Sequence, residues 1–116
     1  MITLYGIPNC DTTKKAKRWL EANHIDYQFH NFKKDGLDKN LLDNWFKDIG
    51  WEVLLNKRGT TWRKLDDDTK NTINETSAKE LMLDNPTIIK RPVLDTGKIK
   101  HVGFKEAEYS ELFGKG

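Results

Sequence analysis

The sequence is poor in cysteine, in proline and in long apolar runs. Its 116 residues include one cysteine and three prolines. A chain with a single cysteine cannot form an internal disulfide, which is typical of proteins kept in a reducing compartment. No apolar run is long enough to cross a bilayer, and the segment after Met1 lacks the basic and apolar regions of a secretory signal. We therefore expect a cytoplasmic protein that does not bind membranes.

The charge of the chain is nearly balanced. It has 20 Lys and Arg residues against 18 Asp and Glu residues, for a formal net charge of +2, and both signs are spread along the sequence. This pattern gives no reason to expect direct nucleic-acid binding. The three histidines, His24, His30 and His101, show no ligand spacing with Cys10 or with each other. We therefore predict no metal site.

The lone cysteine, Cys10, lies in the stretch that says most about chemistry. Residues 2–5 have the pattern of a short buried strand, Gly6 and Pro8 indicate a turn, and a helical pattern begins at Asp11. Backbone N–H groups without helical partners and the positive end of the helix dipole favour a thiolate over a thiol at this point. The sequence thus predicts a lowered pKa for Cys10 and a reactive sulfur.

Two interpretations of Cys10 stay open on local chemistry alone. A lone cysteine in a small domain is commonly a buried, inert apolar residue. Here the flanking residues Asn9 and Asp11 are polar, and Lys14 and Lys15 lie within the next turn. These neighbours favour the reactive thiolate.

The first part of the chain has the pattern of a βαβ unit. The first helix is predicted from Asp11 to Asn23, with Asp11 or Thr12 as its cap. Residues 26–32 then alternate aromatic and polar side chains, as a half-buried strand does. Two strands joined through one helix in about thirty residues are expected to be parallel.

A block of helices is predicted to follow. Apolar residues at helical spacing indicate a helix from Leu37 to Ile49, and Gly50 is placed to end it. The further predicted elements are a short helix over Trp51–Leu55, a loop over Asn56–Thr61, a helical turn over Trp62–Leu65, a solvated acidic run over Asp66–Asp68, and a helix that Ser77 and Glu80 open and that runs to about Leu83.

The last part of the chain has the pattern of a hairpin followed by a helix. The predicted elements are strand-like segments over Thr87–Ile89 and Val93–Leu94, a turn over Asp95–Gly97, a strand over Ile99–Phe104, and a helix over Phe104–Phe113. The order is then β-α-β, a helical block, and β-β-α. This order favours an α/β, thioredoxin-like fold with a mixed sheet and an α-helical insertion.

The bond between Arg91 and Pro92 lies where the third strand opens. In a thioredoxin-like fold a cis proline at that point faces the reactive cysteine. Most bonds before proline are trans, however, so position in the sequence alone does not establish a cis bond.

Three separated segments resemble the arsenate reductase-like family. They read GIPNCDTTKKA over Gly6–Ala16, LLNKRGTTWRKL over Leu54–Leu65 and NPTIIKRPVL over Asn85–Leu94. This family includes glutaredoxin-linked arsenate reductases, Spx-type transcription regulators and a branch typified by YffB, whose wording these segments resemble most. The resemblance covers essentially the whole chain. It implies one domain over residues 1–116, with a thioredoxin-like core at about 1–36 and 86–116 and a helical insertion at about 37–85.

The resemblance also implies roles for individual residues. Cys10 is expected to be the redox-active residue, with Arg91 and Pro92 facing it and Arg58 supplying a further basic group. Without the resemblance, the two arginines would be interpreted as ordinary surface residues in loops. Asn9, Thr12 and Thr13 are expected to donate hydrogen bonds or orient backbone amides at the sulfur and a bound substrate.

Two departures from the family pattern shape the functional expectation. Spx-type regulators commonly carry a C-x-x-C switch, but Thr13 stands at its second position here, so an external thiol must resolve any disulfide at Cys10. Gly103 lies about where arsenate reductases place an additional arginine. We therefore expect a glutathione-dependent thiol oxidoreductase with no tightly bound cofactor. Glutathione would be its co-substrate, a small oxyanion or disulfide its substrate, and glutaredoxin a further partner.

Two alternatives stay open. One is an Spx-like regulator that binds the RNA polymerase α subunit, because the same family contains such regulators. The other is a true arsenate reductase.

Overall fold

The protein is described by a computed structural model that covers residues 2–114. Its elements in chain order are β1 (Thr3–Gly6), α1 (Asp11–Ala22), β2 (Gln28–Asn31), α2 (Lys39–Asp48), α3 (Trp51–Leu54), α4 (Thr60–Arg63), α5 (Asp67–Asn71), α6 (Glu75–Asp84), a 3₁₀ helix (Pro86–Ile88), β3 (Val93–Asp95), β4 (Lys100–Val102) and α7 (Glu106–Leu112).

The four strands form one mixed sheet in the order β2-β1-β3-β4. The edge strand β2 is parallel to its inner neighbour β1, and α1 makes the crossover between them. By contrast, β3 is antiparallel to both β1 and β4. This topology confirms the predicted thioredoxin-like fold, and the parallel βαβ unit at its start is as expected.

One apolar cluster joins the helices to the sheet. Leu4 of β1 and Leu94 of β3 are partners in the register, so both side chains lie on the same face of the sheet. They pack with buried residues of α1 and with Tyr109 of α7. The buried members of the cluster are Leu4, Ala16, Trp19, Leu20, Leu94 and Tyr109. Helices α1 and α7 therefore cover one face of the sheet.

The chain groups into two compact units. The first contains the residues up to Asn31 and those from Arg91 onward, and the second contains Phe32–Lys90. The second unit is helical, with Leu42, Trp45, Leu54 and other apolar side chains buried. The single domain expected over residues 1–116, with its insertion at about 37–85, stays a prediction.

The second unit is tied together near its C-terminal end. Leu55 and Ile89 form an isolated antiparallel bridge. The Asn56 N–H donates to the Ile88 carbonyl at 2.8 Å, and the Lys90 N–H donates to the Leu54 carbonyl at 2.7 Å. The strand predicted over Thr87–Ile89 is therefore wrong: Pro86 begins a 3₁₀ helix there, and only Ile89 pairs.

One predicted helix cap and one predicted helix start are also wrong. Helix α1 begins at Asp11, as expected, but its N-cap is Cys10, not Asp11 or Thr12. The helix expected to open at Ser77 begins at Glu75 instead, with Asn74 as N-cap. Asn74 accepts from the Ser77 N–H and donates its own N–H to the Ser77 hydroxyl, both at 3.0 Å. Ser77 thus takes the place of the glutamate or glutamine that usually completes a capping box. The sequence pattern instead suggested that Ser77 and Glu80 form the box, so Asn74 was not recognised as the N-cap.

Two shorter segments also differ from the predictions. The acidic run Asp66–Asp68 is exposed, as expected, but it opens helix α5, because the Asp66 carboxylate accepts from the Thr69 N–H at 3.0 Å. Gly6, expected in a turn, is the last residue of β1 and pairs with Asn31 of β2.

Candidate active site

Cys10 lies at the junction between β1 and α1. Its N–H donates to the Ile7 carbonyl at 3.1 Å, which closes the turn after the strand. Its carbonyl accepts from the Lys14 N–H at 2.9 Å, which is the first bond of the helix. The backbone of Cys10 is extended, with φ −89° and ψ 124°, as an N-cap residue requires. The sulfur consequently lies at the N-terminal end of α1.

The surroundings of the sulfur stabilise its ionised form. Partial burial acts to raise the pKa of Cys10. The Thr13 side chain, the Thr13 N–H and the Arg91 guanidinium act in the opposite direction as polar neighbours of the sulfur, as does the Arg91 charge. These contributions outweigh burial, so the pKa of Cys10 lies below its ordinary value. The thiolate is the nucleophilic form of cysteine, and a lowered pKa increases its population at neutral pH.

The sheet places Arg91 beside this cysteine. Tyr5 of β1 pairs with Val93 of β3, so the residues just before β3 lie next to the end of β1. The peptide bond between Arg91 and Pro92 is cis. The Pro92 carbonyl accepts from the Gly103 N–H at 2.8 Å, which holds this segment against the loop after β4.

The remaining predicted site residues differ in their placement. Asn9 is exposed in the turn before Cys10, whereas Thr12 is half-buried in the first turn of α1. Arg58 is exposed in a turn of the second unit, where its N–H donates to the Asn56 side chain at 3.2 Å. A role for Arg58 at Cys10 stays a prediction.

Local charge near Cys10 comes from a different source than expected. Lys14 and Lys15 are both exposed, and the groups with the largest effects on the pKa of the cysteine are Thr13 and Arg91. Thr13 is fully buried although it is polar. The sequence pattern predicted Thr13 as a site residue, whereas Gly6, which lies close to Thr13, was predicted only as part of a turn.

Residues 2–114 contain neither a metal-binding cluster nor a membrane-spanning helix. In this range, no group of three or more His, Cys, Asp or Glu side chains could hold a metal ion. In the same range, no helix has both the length and the apolar character that crossing a membrane requires.

The chain is similar to several known proteins. The family model described as the ArsC family matches residues 5–112. An arsenate reductase (ArsC) related protein from Brucella melitensis, solved in solution, is 52% identical, covers 97% of this chain and 93% of its own, and has a TM-score of 0.80. The solved YFFB protein is 46% identical over 96% of this chain and 97% of its own, with a TM-score of 0.91.

The chain is also similar to a transcriptional regulator. The global transcriptional regulator Spx of Streptococcus pyogenes is 30% identical over 110 residues, which are 93% of this chain and 81% of that protein. The resemblance stated from the three sequence segments is thus confirmed, including its likeness to YffB.

Proposed function

The chain belongs to the ArsC family, and on that premise we propose that it is a cytoplasmic, glutathione-dependent thiol oxidoreductase with Cys10 as its nucleophile. The observation that carries the proposal is the convergence of Thr13 and Arg91 on the Cys10 sulfur, which lowers its pKa. A thiol without such partners remains mostly protonated at neutral pH and reacts slowly.

The proposed reaction has two steps. In the first, the Cys10 thiolate attacks the glutathione sulfur of a mixed disulfide between glutathione and a small thiol. A Cys10–glutathione disulfide forms, and the thiolate of the small thiol leaves. In the second, the thiolate of another glutathione, or of a glutaredoxin, attacks the glutathione sulfur of that adduct. The Cys10 thiolate leaves, so the protein returns to its starting state; the small thiol has been reduced, and the attacking thiol is oxidised to a disulfide with glutathione.

The composition of the chain supports an external resolving thiol. Cys10 is the single cysteine, and the residue three positions later is Thr13. No internal thiol can therefore attack the mixed disulfide. Glutathione acts in this proposal as a co-substrate rather than as a bound cofactor, and Asn9 and Thr12, which lie close to Cys10 in the sequence, would hold its polar groups.

The direct test measures turnover of a small disulfide in the presence of glutathione, together with the intact mass of the protein. We expect wild-type protein to carry one glutathione after exposure to glutathione disulfide and to turn over. Cys10→Ser should fold, carry no adduct and show no turnover, whereas Lys15→Ala, which removes an exposed charge from the same helix, should retain both. A wild-type cysteine that forms no adduct would overturn the proposal.

Reduction of arsenate is a narrower candidate that one local feature disfavours. Gly103 lies where the resemblance expects an additional arginine, and its φ is +84°, in the left-handed region that favours glycine. An arginine there would strain the loop that holds Pro92. Expression in an arsenate-sensitive bacterium tests this candidate, and a clear gain of resistance would restore arsenate as the substrate.

Regulation of transcription is a second candidate, favoured by the 30% identity to Spx. In that case the chain would bind the RNA polymerase α subunit. Because Thr13 stands where a C-x-x-C pair has its second cysteine, no internal disulfide could switch such binding. A pull-down with the C-terminal domain of the α subunit distinguishes the candidates: a regulator binds it, and Cys10→Ser leaves the binding intact.

A further inference from the structure

Gly6 is a glycine for a reason other than backbone conformation. Several glycines in the described range, such as Gly50 and Gly97, have positive φ, but Gly6 is an ordinary strand residue at the end of β1. A Cβ at Gly6 would lie 2.7 Å from the Thr13 Oγ1 and 3.0 Å from the Thr13 Cγ2. The first distance is too short for any real contact, so a side chain at position 6 and threonine at position 13 exclude each other.

The crowding cannot be relieved by a change of rotamer. The Thr13 Cβ also lies 3.4 Å from the same point, so rotation about χ1 exchanges one crowded atom for another. Thr13 is the third residue of α1, and any larger movement would shift the first turn of the helix together with Cys10. The missing side chain of Gly6 is therefore what allows this turn to lie so close to β1.

The Thr13 hydroxyl is buried in this narrow space. Its Oγ1 has no hydrogen-bond partner of regular geometry within residues 2–114. Thr13 follows Cys10 by three positions at the start of α1, and its side chain is close enough to the sulfur to lower the pKa of the thiol. Hydroxyl hydrogens rotate to suit their acceptor, and a thiolate is a far better acceptor than a thiol. Ionisation of Cys10 thus provides a buried donor with its partner.

From these contacts we propose that Gly6 and Thr13 form a positioning pair for Cys10. Gly6 leaves room for the Thr13 side chain, and the Thr13 hydroxyl donates a hydrogen bond to the Cys10 thiolate. This inference builds on the proposed function, because it assigns the two residues to the nucleophile of that reaction. In this proposal both residues act through the sulfur.

Two substitutions at Thr13 separate the hydroxyl from the shape of the side chain. Thr13→Val keeps the size and removes the hydroxyl, whereas Thr13→Ser keeps the hydroxyl. Loss of a hydrogen bond to a charged group should move the midpoint of the Cys10 reactivity–pH profile up by about one unit in Thr13→Val. Thr13→Ser should stay close to wild type. A wild-type midpoint in Thr13→Val, or an equal rise in Thr13→Ser, would overturn the role of the hydroxyl.

A control and a double substitution complete this test. Thr3→Val makes the same chemical change at a threonine of β1 and should leave the midpoint unchanged. Gly6→Ala should lower the melting temperature and raise the midpoint. Gly6→Ala combined with Thr13→Ala should recover the melting temperature, because the clash is gone, but not the low midpoint. A melting temperature that stays low in the double variant would show that Gly6 does not act through Thr13.

The readout also separates this inference from the proposed function. The midpoint is obtained from thiolate absorbance and from the rate of alkylation, neither of which needs glutathione turnover. If wild-type protein fails to turn over but the Thr13→Val midpoint rises, the positioning pair stands and the proposed function fails. If turnover is present but the Thr13→Val midpoint is unchanged, the positioning pair alone fails.

Discussion

Replacement of Arg91 by glutamine should raise the pKa of Cys10 and reshape the pH profile of its reactivity. Arg91 contributes both a hydrogen bond and a positive charge to the sulfur. Glutamine retains a donor and an extended side chain but removes the charge. The substitution therefore tests the electrostatic part of the interaction.

The size of the effect follows from the exposure of the site. Two unit charges about 4 Å apart interact by about 1 kcal/mol in water and by about 4 kcal/mol near a protein surface. The Cys10 side chain is only partly buried, so solvent screens the pair and the lower end of this range applies. We therefore expect a rise of about one pKa unit, which corresponds to about 1.4 kcal/mol.

A higher pKa changes the rate in two opposed directions. Well below both pKa values, the thiolate population falls about tenfold. Each remaining thiolate becomes about threefold more nucleophilic, because the Brønsted coefficient for thiolate attack on disulfides is about 0.4–0.5. Reaction of Arg91→Gln should thus be about threefold slower than wild type at low pH and about threefold faster on the alkaline plateau, so the two profiles should cross.

Rates of reaction with a neutral disulfide reagent, measured from acid to alkaline pH, test this expectation. Arg18→Gln is the matched control, since Arg18 is an exposed arginine of α1 and its loss should leave the profile unchanged. Circular dichroism should show that both variants are folded. An Arg91→Gln profile that coincides with that of wild type would refute the electrostatic explanation.

Three further predictions concern stability. Burial raises the pKa of Tyr109, and no group in residues 2–114 hydrogen-bonds its hydroxyl. Tyr109→Phe should therefore leave the free energy of unfolding unchanged or raise it by about 1 kcal/mol. A decrease of more than about 1 kcal/mol in the free energy of unfolding would show that the hydroxyl has a hydrogen-bond partner. Asn74→Ala removes the N-cap of α6 and should cost about 1 kcal/mol in denaturant unfolding, whereas a cost near zero would contradict the cap. The pKa of Cys10 is lower in the folded protein than the ordinary value of about 8.5, so thiolate formation stabilises the fold at pH above that value, and this stability is lost as pH falls through the folded pKa. The stability difference between wild type and Cys10→Ser should accordingly grow from neutral pH to about pH 9, and a difference independent of pH would contradict the shift.

Much of the fold is predictable because local patterns and packing agree. The alternation around Phe29 and the helical stripe through Ala16 and Leu20 predict the βαβ unit. The parallel pairing of β1 with β2 confirms it, and Phe29 packs, partly buried, against the cluster that contains the buried Ala16 and Leu20. The segment Thr87–Ile89 misleads because β-branched residues favour strands. There, Pro86 and the hydrogen bonds of the second unit override that preference.

The candidate site is predictable only in part. The position of Cys10 at a helix start follows from the local sequence, but the approach of Arg91 depends on the pairing of β1 with β3 and was available only through the family resemblance. The close packing of Thr13 against Gly6 depends on distances of a few ångström between the Thr13 side chain and the backbone of β1. A glycine between a strand and a proline is equally typical of a turn, so no sequence pattern distinguishes the two roles.

The identity of residue 13 should decide between one-thiol and two-thiol chemistry. Thr13→Cys introduces a second thiol at the position whose side chain faces the Cys10 sulfur. Because this thiol lies within reach, it should attack the Cys10–glutathione disulfide, release glutathione and leave an internal disulfide. Intact mass should then show no adduct and the loss of two hydrogens, whereas Thr3→Cys, with its thiol on β1, should keep the adduct on Cys10. A stable glutathione adduct on Cys10 in the Thr13→Cys variant would mean that residue 13 does not set the requirement for an external thiol.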